Sequence, residues 1–316
     1  QPNTIVVLHN GAPVEMPWAD RVKGILEAYL GGQAVGGAEY DILFGKVNPS
    51  AKLPETFPKQ LEDNPSYLAG FGEGDHVEYR EGIFVGYRYY DKKKMDVLFP
   101  FGYGLSYTTF AYSNLCLDKK TMKDTEELTV SVDVTNTGDR TGKEVVQLYV
   151  ADKESTVIRP VKELRDFVKI ELAPGETKTV TFTLGKRAFA YYDVQIHDWQ
   201  VETGEFEILI GASSRDIALR DTVTVESTVK IPFHYTTDTT MGDIMSRPEA
   251  WKLVQSVLSK GMFGQNSGVS EGGDAAKEAI SDEMNAAMLQ YMPLRGPVSF
   301  GGGVSMADVQ KLVDRL

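Results

Sequence analysis

Two kinds of sequence meet in residues 78–110, and this change of pattern constrains the fold more than any other feature. Before the segment, Gly-punctuated apolar runs alternate with helical patterns; after it, apolar and polar residues alternate in short runs. Ile83, Val85 and Tyr87 would share one face of a strand whose other face is also largely apolar, which predicts a buried strand. The aromatic and glycine residues of 99–110 predict a packed hinge between two domains rather than a flexible linker.

The first hundred residues predict an α/β arrangement. Residues 4–8 read as a buried parallel strand, 17–29 as a helix, and 38–44 as a second helix. Residues 45–58 are rich in proline and are predicted to be extended and irregular. Residues 31–37 contain four glycines without a phosphate-binding motif, so a tight turn is favoured over a nucleotide site.

Residues 109–228 predict an antiparallel β-sandwich. Apolar residues alternate with polar ones in 128–135, 179–184 and 206–210, and turn signals separate the runs. About seven short strands at this spacing are typical of a sandwich.

The pattern becomes helical again after residue 231. Residues 240–243 have the form of a capping box, and helices are predicted at 249–258, 275–291 and 306–316. The Gly/Ser-rich residues 263–273 are predicted to be mobile.

Composition excludes several classes of function. The chain has 33 basic and 45 acidic residues, a net charge of −12, which argues against a nucleic-acid partner. There is one cysteine, Cys116, and it is predicted to be buried and inert; no internal disulfide can form. No apolar run predicts a membrane span. The absence of a visible signal peptide or a possible disulfide favours a cytoplasmic location. The start at Gln1, however, suggests a chain entered partway through a domain.

The residues offer little chemistry of their own. The four histidines are isolated, so neither a metal site nor a cofactor is expected. Trp18 and Trp199 lie in apolar patterns, which favours packing over sugar stacking. Glu78 and Glu81 would lie on opposite faces of a strand, which does not suit a shared acid pair.

Several segments resemble a known family. They are EGIFVGYRYYD at 81–91, FPFGYGLSYTTF at 99–110, the long run YLGGQAVGGAEYDILFGKVNPSAKLPETFP at 29–58, and the shorter VTNTG and LAPGE. Together they resemble the C-terminal portion of family 3 glycoside hydrolases, which are dominated by β-glucosidases. The resemblance implies the last part of an α/β sandwich domain at 1–108, a fibronectin type III-like β-sandwich at 109–228, and a short helical C-terminal tail at 229–316.

The resemblance also implies a function. Family 3 enzymes are retaining exo-β-glycosidases, and a β-glucosidase acting on an oligosaccharide or aryl β-glycoside is the preferred interpretation. Their nucleophile lies in a (β/α)8 barrel and their acid/base precedes the strand that begins here at Thr4, so no catalytic residue is assigned in this chain. The expected partner is that upstream barrel, and the chain alone is expected to be inactive.

Other roles stay open at this stage. Glu81, Arg88 and Tyr89 are candidates for substrate binding or for support near the barrel interface. The alternative function is a non-catalytic scaffold whose β-sandwich binds glycans or a partner. The sequence gives no indication of oligomeric state.

Overall fold

The structure is a computed structural model that describes residues 1–316 except 2, 69, 71, 230, 232, 262–281 and 300–304. The chain forms two compact units, Gln1–Lys230 and Ile231–Leu316. Each unit has a hydrophobic core of its own.

The first unit begins with a small parallel sheet. Strands β1 (Ile5–Leu8) and β2 (Gly24–Glu27) pair in parallel, with Val6 opposite Ile25. The strand predicted at 4–8 is therefore confirmed, but its burial is wrong, because Ile5 is 56% exposed. The helix predicted at 17–29 is also wrong. Only Ala19–Arg21 forms a short 3-10 helix, and the ladder with β1 takes the following apolar residues, so strand pairing overrides their helical spacing.

Two helices follow in this part of the unit. Helix α1 (Val35–Leu43) confirms the helix predicted at 38–44, and Gly45 follows it with a φ of +71°. The Pro-rich residues 45–58 lack helix and strand, apart from an isolated bridge between Phe57 and Phe99. Helix α2 (Tyr87–Lys92) comes after a short 3-10 helix at Leu61–Asp63.

Helix α2 occupies the place where the sequence predicted a buried strand, so that prediction is wrong. Gly82 and Gly86 adopt φ values of +56° and +55°, which an extended strand does not accommodate. The chain turns at Tyr79, whose carbonyl accepts a hydrogen bond from the amide of Gly82, and helix α2 begins after Gly86. Ile83 and Val85 are consequently half exposed.

The β-sandwich occupies the rest of the first unit and confirms the predicted architecture. In the described residues, one sheet has the order β4-β12-β11-β6-β7 and the other β3-β5-β8, with β9 and β10 as a separate hairpin. Every pairing is antiparallel except that of β4 with β12. The strands are β3 (Phe110–Leu117), β4 (Thr121–Lys123), β5 (Leu128–Asn136), β6 (Gly142–Asp152), β7 (Glu163–Leu172), β8 (Thr177–Leu184), β9 (Tyr191–Asp193), β10 (Asp198–Gln200), β11 (Gly204–Gly211) and β12 (Ile217–Glu226).

The alternating residues form the sandwich core, as their pattern predicted. Leu128, Val130, Val132 and Val134 of β5 are fully buried between the sheets. Burial of such a side chain stabilises a fold by about 1.5–3 kcal/mol relative to exposure. This cluster therefore gives the sandwich a closed core within the chain.

Cys116 contradicts the prediction of a buried thiol, because its side chain is exposed. Asn114 adopts a φ of +54°, and the pairing of β3 with β5 shifts register between Ser113 and Cys116. This bulge turns Leu117 toward the core and Cys116 toward solvent.

The second unit is helical in its described residues. Its helices are α3 (Met241–Met245), α4 (Pro248–Gly261), α5 (Asp282–Tyr291), α6 (Gly296–Ser299) and α7 (Met306–Val313). The side-chain oxygen of Thr240 accepts a hydrogen bond from the amide of Asp243, which confirms the predicted cap. The helices predicted at 249–258 and 306–316 are confirmed, and α5 confirms the described end of the helix predicted at 275–291.

Residues 263–273 lie outside the described residues. None of the helices that the structure describes is long and apolar enough to cross a membrane.

Candidate functional site: the joint between helix α2 and the β-sandwich

The three predicted site residues lie in and just before helix α2 but point to different neighbours. The Nη2 atom of Arg88 lies 3.4 Å from Oε1 of Glu163 in β7, so this side chain faces the sandwich. The ring of Tyr89 packs edge-on against Tyr90, with centroids 5.3 Å apart. Glu81 lies in the preceding turn, where its carbonyl accepts a hydrogen bond from the amide of Phe84. The structure thus joins Arg88 to the sandwich.

Tyr87 is the apolar anchor of helix α2. Its hydroxyl accepts a 2.7 Å hydrogen bond from the amide of Leu164 in β7. Its ring stacks on Phe101 at 4.7 Å and meets Tyr149 edge-on at 6.0 Å. Buried aromatic pairs of this kind contribute about 0.5–1.5 kcal/mol beyond the area that they bury.

Asp91 is the ionic anchor of the same helix face, one turn after Tyr87. Its Oδ2 atom lies 2.6 Å from Nζ of Lys162, and its Oδ1 atom lies 3.2 Å from Nε of Arg215. The Asp91 side chain is 8% exposed and that of Lys162 is 11% exposed. Arg215 also donates a 2.6 Å hydrogen bond to the carbonyl of Met95, just beyond the helix. Both ends of helix α2 are therefore held to the sandwich.

Arg159 extends this charged cluster into the sandwich. Its Nη1 atom donates to Oδ2 of Asp152 at 2.9 Å and to the carbonyl of Phe189 at 3.0 Å. Burial raises the pKa of Asp152, and the Arg159 charge opposes that rise. Lys92 of helix α2 donates a 3.0 Å hydrogen bond to the carbonyl of Arg159, which links the cluster to the helix.

Gln147 binds the turn at Gly102, within the aromatic residues 99–110. Its Nε2 atom donates to the carbonyls of Gly102 at 3.1 Å and Ala212 at 2.7 Å, and its Oε1 atom accepts a 2.6 Å bond from the Tyr149 hydroxyl. Burial raises the pKa of Tyr149, which keeps that hydroxyl protonated as a donor. The packing predicted for 99–110 is therefore confirmed at Phe101 and Gly102, and the hinge between two domains stays a prediction.

A second buried ion pair joins the Pro-rich segment to the sandwich. The Nζ atom of Lys52 lies 3.1 Å from Oε1 of Glu144 in β6 and donates a 3.0 Å hydrogen bond to the carbonyl of Gly104. The Tyr112 hydroxyl lies beside Glu144, and burial together with this carboxylate raises the pKa of Tyr112. A second ion pair, apart from those of helix α2, thus joins residues 1–107 to the sandwich.

We call the contacts that helix α2, Lys52 and the turn at Gly102 make with the sandwich the joint. The charged groups of the joint hold its parts in position. Its carboxylates at Asp91, Asp152 and Glu163 each face a cation within 3.4 Å, so they hold charges in place. In the part of the chain that the structure describes, no group of three or more His, Cys, Asp or Glu residues could hold a metal ion.

Trp18 and Trp199, for which the sequence favoured packing over sugar stacking, differ in their surroundings. Trp199 packs against the sandwich core, with the Arg187 guanidinium 3.5 Å from its ring centroid and Tyr192 edge-on at 5.6 Å. Packing is therefore the role of Trp199, as predicted. Trp18 is half-buried.

Many large apolar side chains of residues 1–107 are exposed. Its described buried hydrophobic residues are Met16, Phe57, Tyr87 and Tyr90. By contrast, none of the residues of helix α1 is buried, and the exposed apolar residues of this part include Leu30, Tyr40, Phe44, Leu68, Tyr79 and Ile83. Few of the large apolar side chains in this part are therefore covered by the described chain itself.

Sequence reasoning missed several residues of the joint. Lys162 and Arg215, the ion partners of Asp91, carry no sequence signal because they lie 71 and 124 residues away from it. Gln147 did carry a signal. It is a polar residue inside the otherwise apolar run of β6, and buried polar groups need partners.

Comparisons with known proteins agree with this architecture. Residues 1–107 match the glycosyl hydrolase family 3 C-terminal domain, and residues 144–214 match a fibronectin type III-like domain. "Thermostable beta-glucosidase B" of Acetivibrio thermocellus is 54% identical over 319 residues, covering 100% of this chain and 41% of that protein. The "Exo-alpha-(1->6)-L-arabinopyranosidase" of Bifidobacterium breve is 46% identical, covering 83% of this chain and 34% of that protein.

Solved structures give the same result. The crystal structure of a GH3 beta-glucosidase from Bifidobacterium adolescentis has a TM-score of 0.72 at 45% identity, covering 80% of this chain and 37% of that one. A beta-glucosidase from Kluyveromyces marxianus in complex with glucose has a TM-score of 0.67 at 45% identity, covering 71% and 27%. The predicted fold class is confirmed: part of an α/β sandwich domain, a fibronectin type III-like sandwich and a short helical tail. The chain spans less than half the length of these proteins.

Proposed function

We propose that this chain works within a retaining exo-β-glycosidase, and that the whole enzyme is a β-glucosidase. The chain belongs to glycosyl hydrolase family 3, of which it carries the C-terminal part. Retention needs a nucleophile and an acid/base whose carboxyl groups lie about 5–5.5 Å apart. Both would come from upstream polypeptide that includes a (β/α)8 barrel. The substrate would be an oligosaccharide or aryl glycoside with a terminal β-linked sugar.

The role of this chain would be to complete and brace the catalytic assembly. In the proposed division, residues 1–108 finish the α/β sandwich domain, 109–228 form the fibronectin-like module, and 229–316 form the tail. The joint at helix α2 would hold the first two parts in a fixed relation. Arg88 would support this joint through Glu163, and Glu81 and Tyr89 would support the neighbouring interface with the barrel.

The observation that carries this proposal is the apolar surface of residues 1–107. A two-stranded parallel sheet and a helix without a buried residue lack a layer to cover them. The sandwich beside them has a closed core of its own, so the uncovered sheet and helix lie in the part that matches the family 3 domain. Upstream polypeptide of the same enzyme is the natural cover.

The competing proposal is a glycan-binding scaffold, and the outward side chains of the strands argue against it. Glycan-binding sandwiches often carry a row of exposed aromatics along one sheet face. The outward residues of β5 and β8 are largely threonines, and Thr135 and Thr177 hydrogen-bond to each other at 2.7 Å. Binding of a glycan array by residues 109–228 would favour the scaffold.

Complementation tests the proposal. The purified chain would be mixed or co-expressed with the N-terminal part of the Acetivibrio thermocellus relative that precedes its match to this chain. We expect no turnover of an aryl β-glucoside by either piece alone and measurable turnover by the pair. NMR of the first product should show the β-anomer of the sugar. Turnover by the chain alone, or an inverted product, would contradict the proposal.

A further inference from the structure

The loop that joins β6 to β7, residues 153–162, presents apolar side chains to solvent. Ile158 is 76% exposed, Val161 is 48% exposed and Val157 is 38% exposed. We call these ten residues the docking loop. Within the described residues of the sandwich, the other exposed large hydrophobic residues, Phe167, Tyr192 and Val194, lie on β7 and on the hairpin of β9 and β10.

Hydrogen bonds to the sandwich hold the docking loop in one conformation. Glu202 accepts a 2.7 Å hydrogen bond from the Ser155 hydroxyl, a 3.2 Å bond from the amide of Thr156, and a further bond from the Thr156 hydroxyl. At the other side of the loop, the buried Arg159 is bound to Asp152 and to the carbonyl of Phe189. The loop conformation is thus set before any partner arrives, which lowers the entropy cost of binding.

The docking loop is continuous with the joint at helix α2. Lys92 of the helix donates to the carbonyl of Arg159, and Lys162 at the end of the loop pairs with Asp91. The loop therefore lies beside the part of the chain whose apolar surface lacks a cover. A partner that covers that part would meet the loop at its edge.

We propose that the docking loop is an interaction surface for the upstream polypeptide of the same enzyme, which contacts it through apolar side chains around Ile158. This inference rests on the proposed function. Two observations point to upstream polypeptide as the partner. The docking loop is continuous with the joint, and more than half of the length of the relatives lies outside the region that this chain matches. The fibronectin-like module then holds the catalytic part directly and not only through residues 1–107.

The test compares two matched variants of the full chain. Ile158→Ser removes the most exposed side chain of the docking loop. Val194→Ser makes a similar change at a side chain that is 73% exposed on the hairpin tip. Binding to the separately produced N-terminal part of the Acetivibrio thermocellus relative would be measured by calorimetry, and recovered glucosidase activity would be titrated.

We expect Ile158→Ser to raise Kd at least about tenfold, which corresponds to 1.4 kcal/mol, and Val194→Ser to change it less than twofold. The exposed position of both residues should leave thermal unfolding of the chain unchanged, which separates docking from folding. Equal Kd values for the wild type and Ile158→Ser would overturn the docking surface while the proposed function stands. Absence of binding by the wild type would instead overturn the proposed function. Self-association of the chain that Ile158→Ser abolishes would overturn the inference in favour of a second copy.

Discussion

Replacement of Gly102 by alanine should weaken the joint for two reasons that can be separated. Gly102 has a φ of +79°, which costs an alanine about 1–2 kcal/mol. A Cβ atom at this position would also lie 2.2 Å from Oε1 of Gln147. Because Gln147 is buried and fixed by Ala212 and Tyr149, its side chain cannot yield without loss of hydrogen bonds.

The contact with Gln147 sets the size of the loss of stability. Three hydrogen bonds meet at the Gln147 amide, and a buried polar group that loses its partner costs about 1–3 kcal/mol. Loss of two of these bonds gives about 2–6 kcal/mol beyond the backbone strain. Gly175→Ala is the matched control, since Gly175 has a φ of +73° and no atom within 4 Å of the added Cβ.

Urea unfolding followed by near-UV circular dichroism measures both variants. With a urea dependence of about 2 kcal/mol per molar, Gly102→Ala should unfold about 1–3 M earlier than Gly175→Ala. If the two midpoints coincide, contact with Gln147 contributes nothing and the account of the joint is wrong. A Gly102→Ala, Gln147→Ala double variant should lose less stability than the two single variants predict together.

Three further outcomes follow from the described contacts. Asp91→Asn should destabilise the chain by about 3–5 kcal/mol because it leaves Lys162 buried without its ion partner; urea unfolding should show partial recovery when Lys162→Met is added, and no loss would contradict the buried pair. Ser305 and Asp308 form a capping box at the start of α7, and hydrogen bonds from the Ser305 side chain and backbone lower the pKa of Asp308. The capping box therefore stabilises the fold above the pKa that Asp308 has in the unfolded chain, and this stabilisation is lost as the pH falls through the pKa of the folded state. Ser305→Ala should raise that pKa toward its ordinary value in an NMR titration, and an unchanged pKa would refute the capping box. Cys116 should react with one equivalent of a thiol reagent in the native chain, whereas reaction only after unfolding would restore the buried thiol that the sequence predicted.

The sequence alone determined the β-sandwich and the helices of the C-terminal part. A period of two forces the apolar residues of β5 onto one face, so Leu128 and Val134 could be placed in the core without knowledge of their partners. Capping residues such as Thr240 act on amides three residues away, which makes their effect local and readable. The long family-like segments also indicated the fold class correctly.

Only the tertiary structure decided the joint and the first hundred residues. The apolar residues at 24–27 fit a helix or a strand, and pairing with β1 selected the strand. Around helix α2, Gly82 and Gly86 could enter a strand or break it, and the contacts of Tyr87 with the sandwich selected the helix. The partners of Asp91 come from chain positions far away, and ion pairs of that kind depend on distance in space, which a local pattern does not encode.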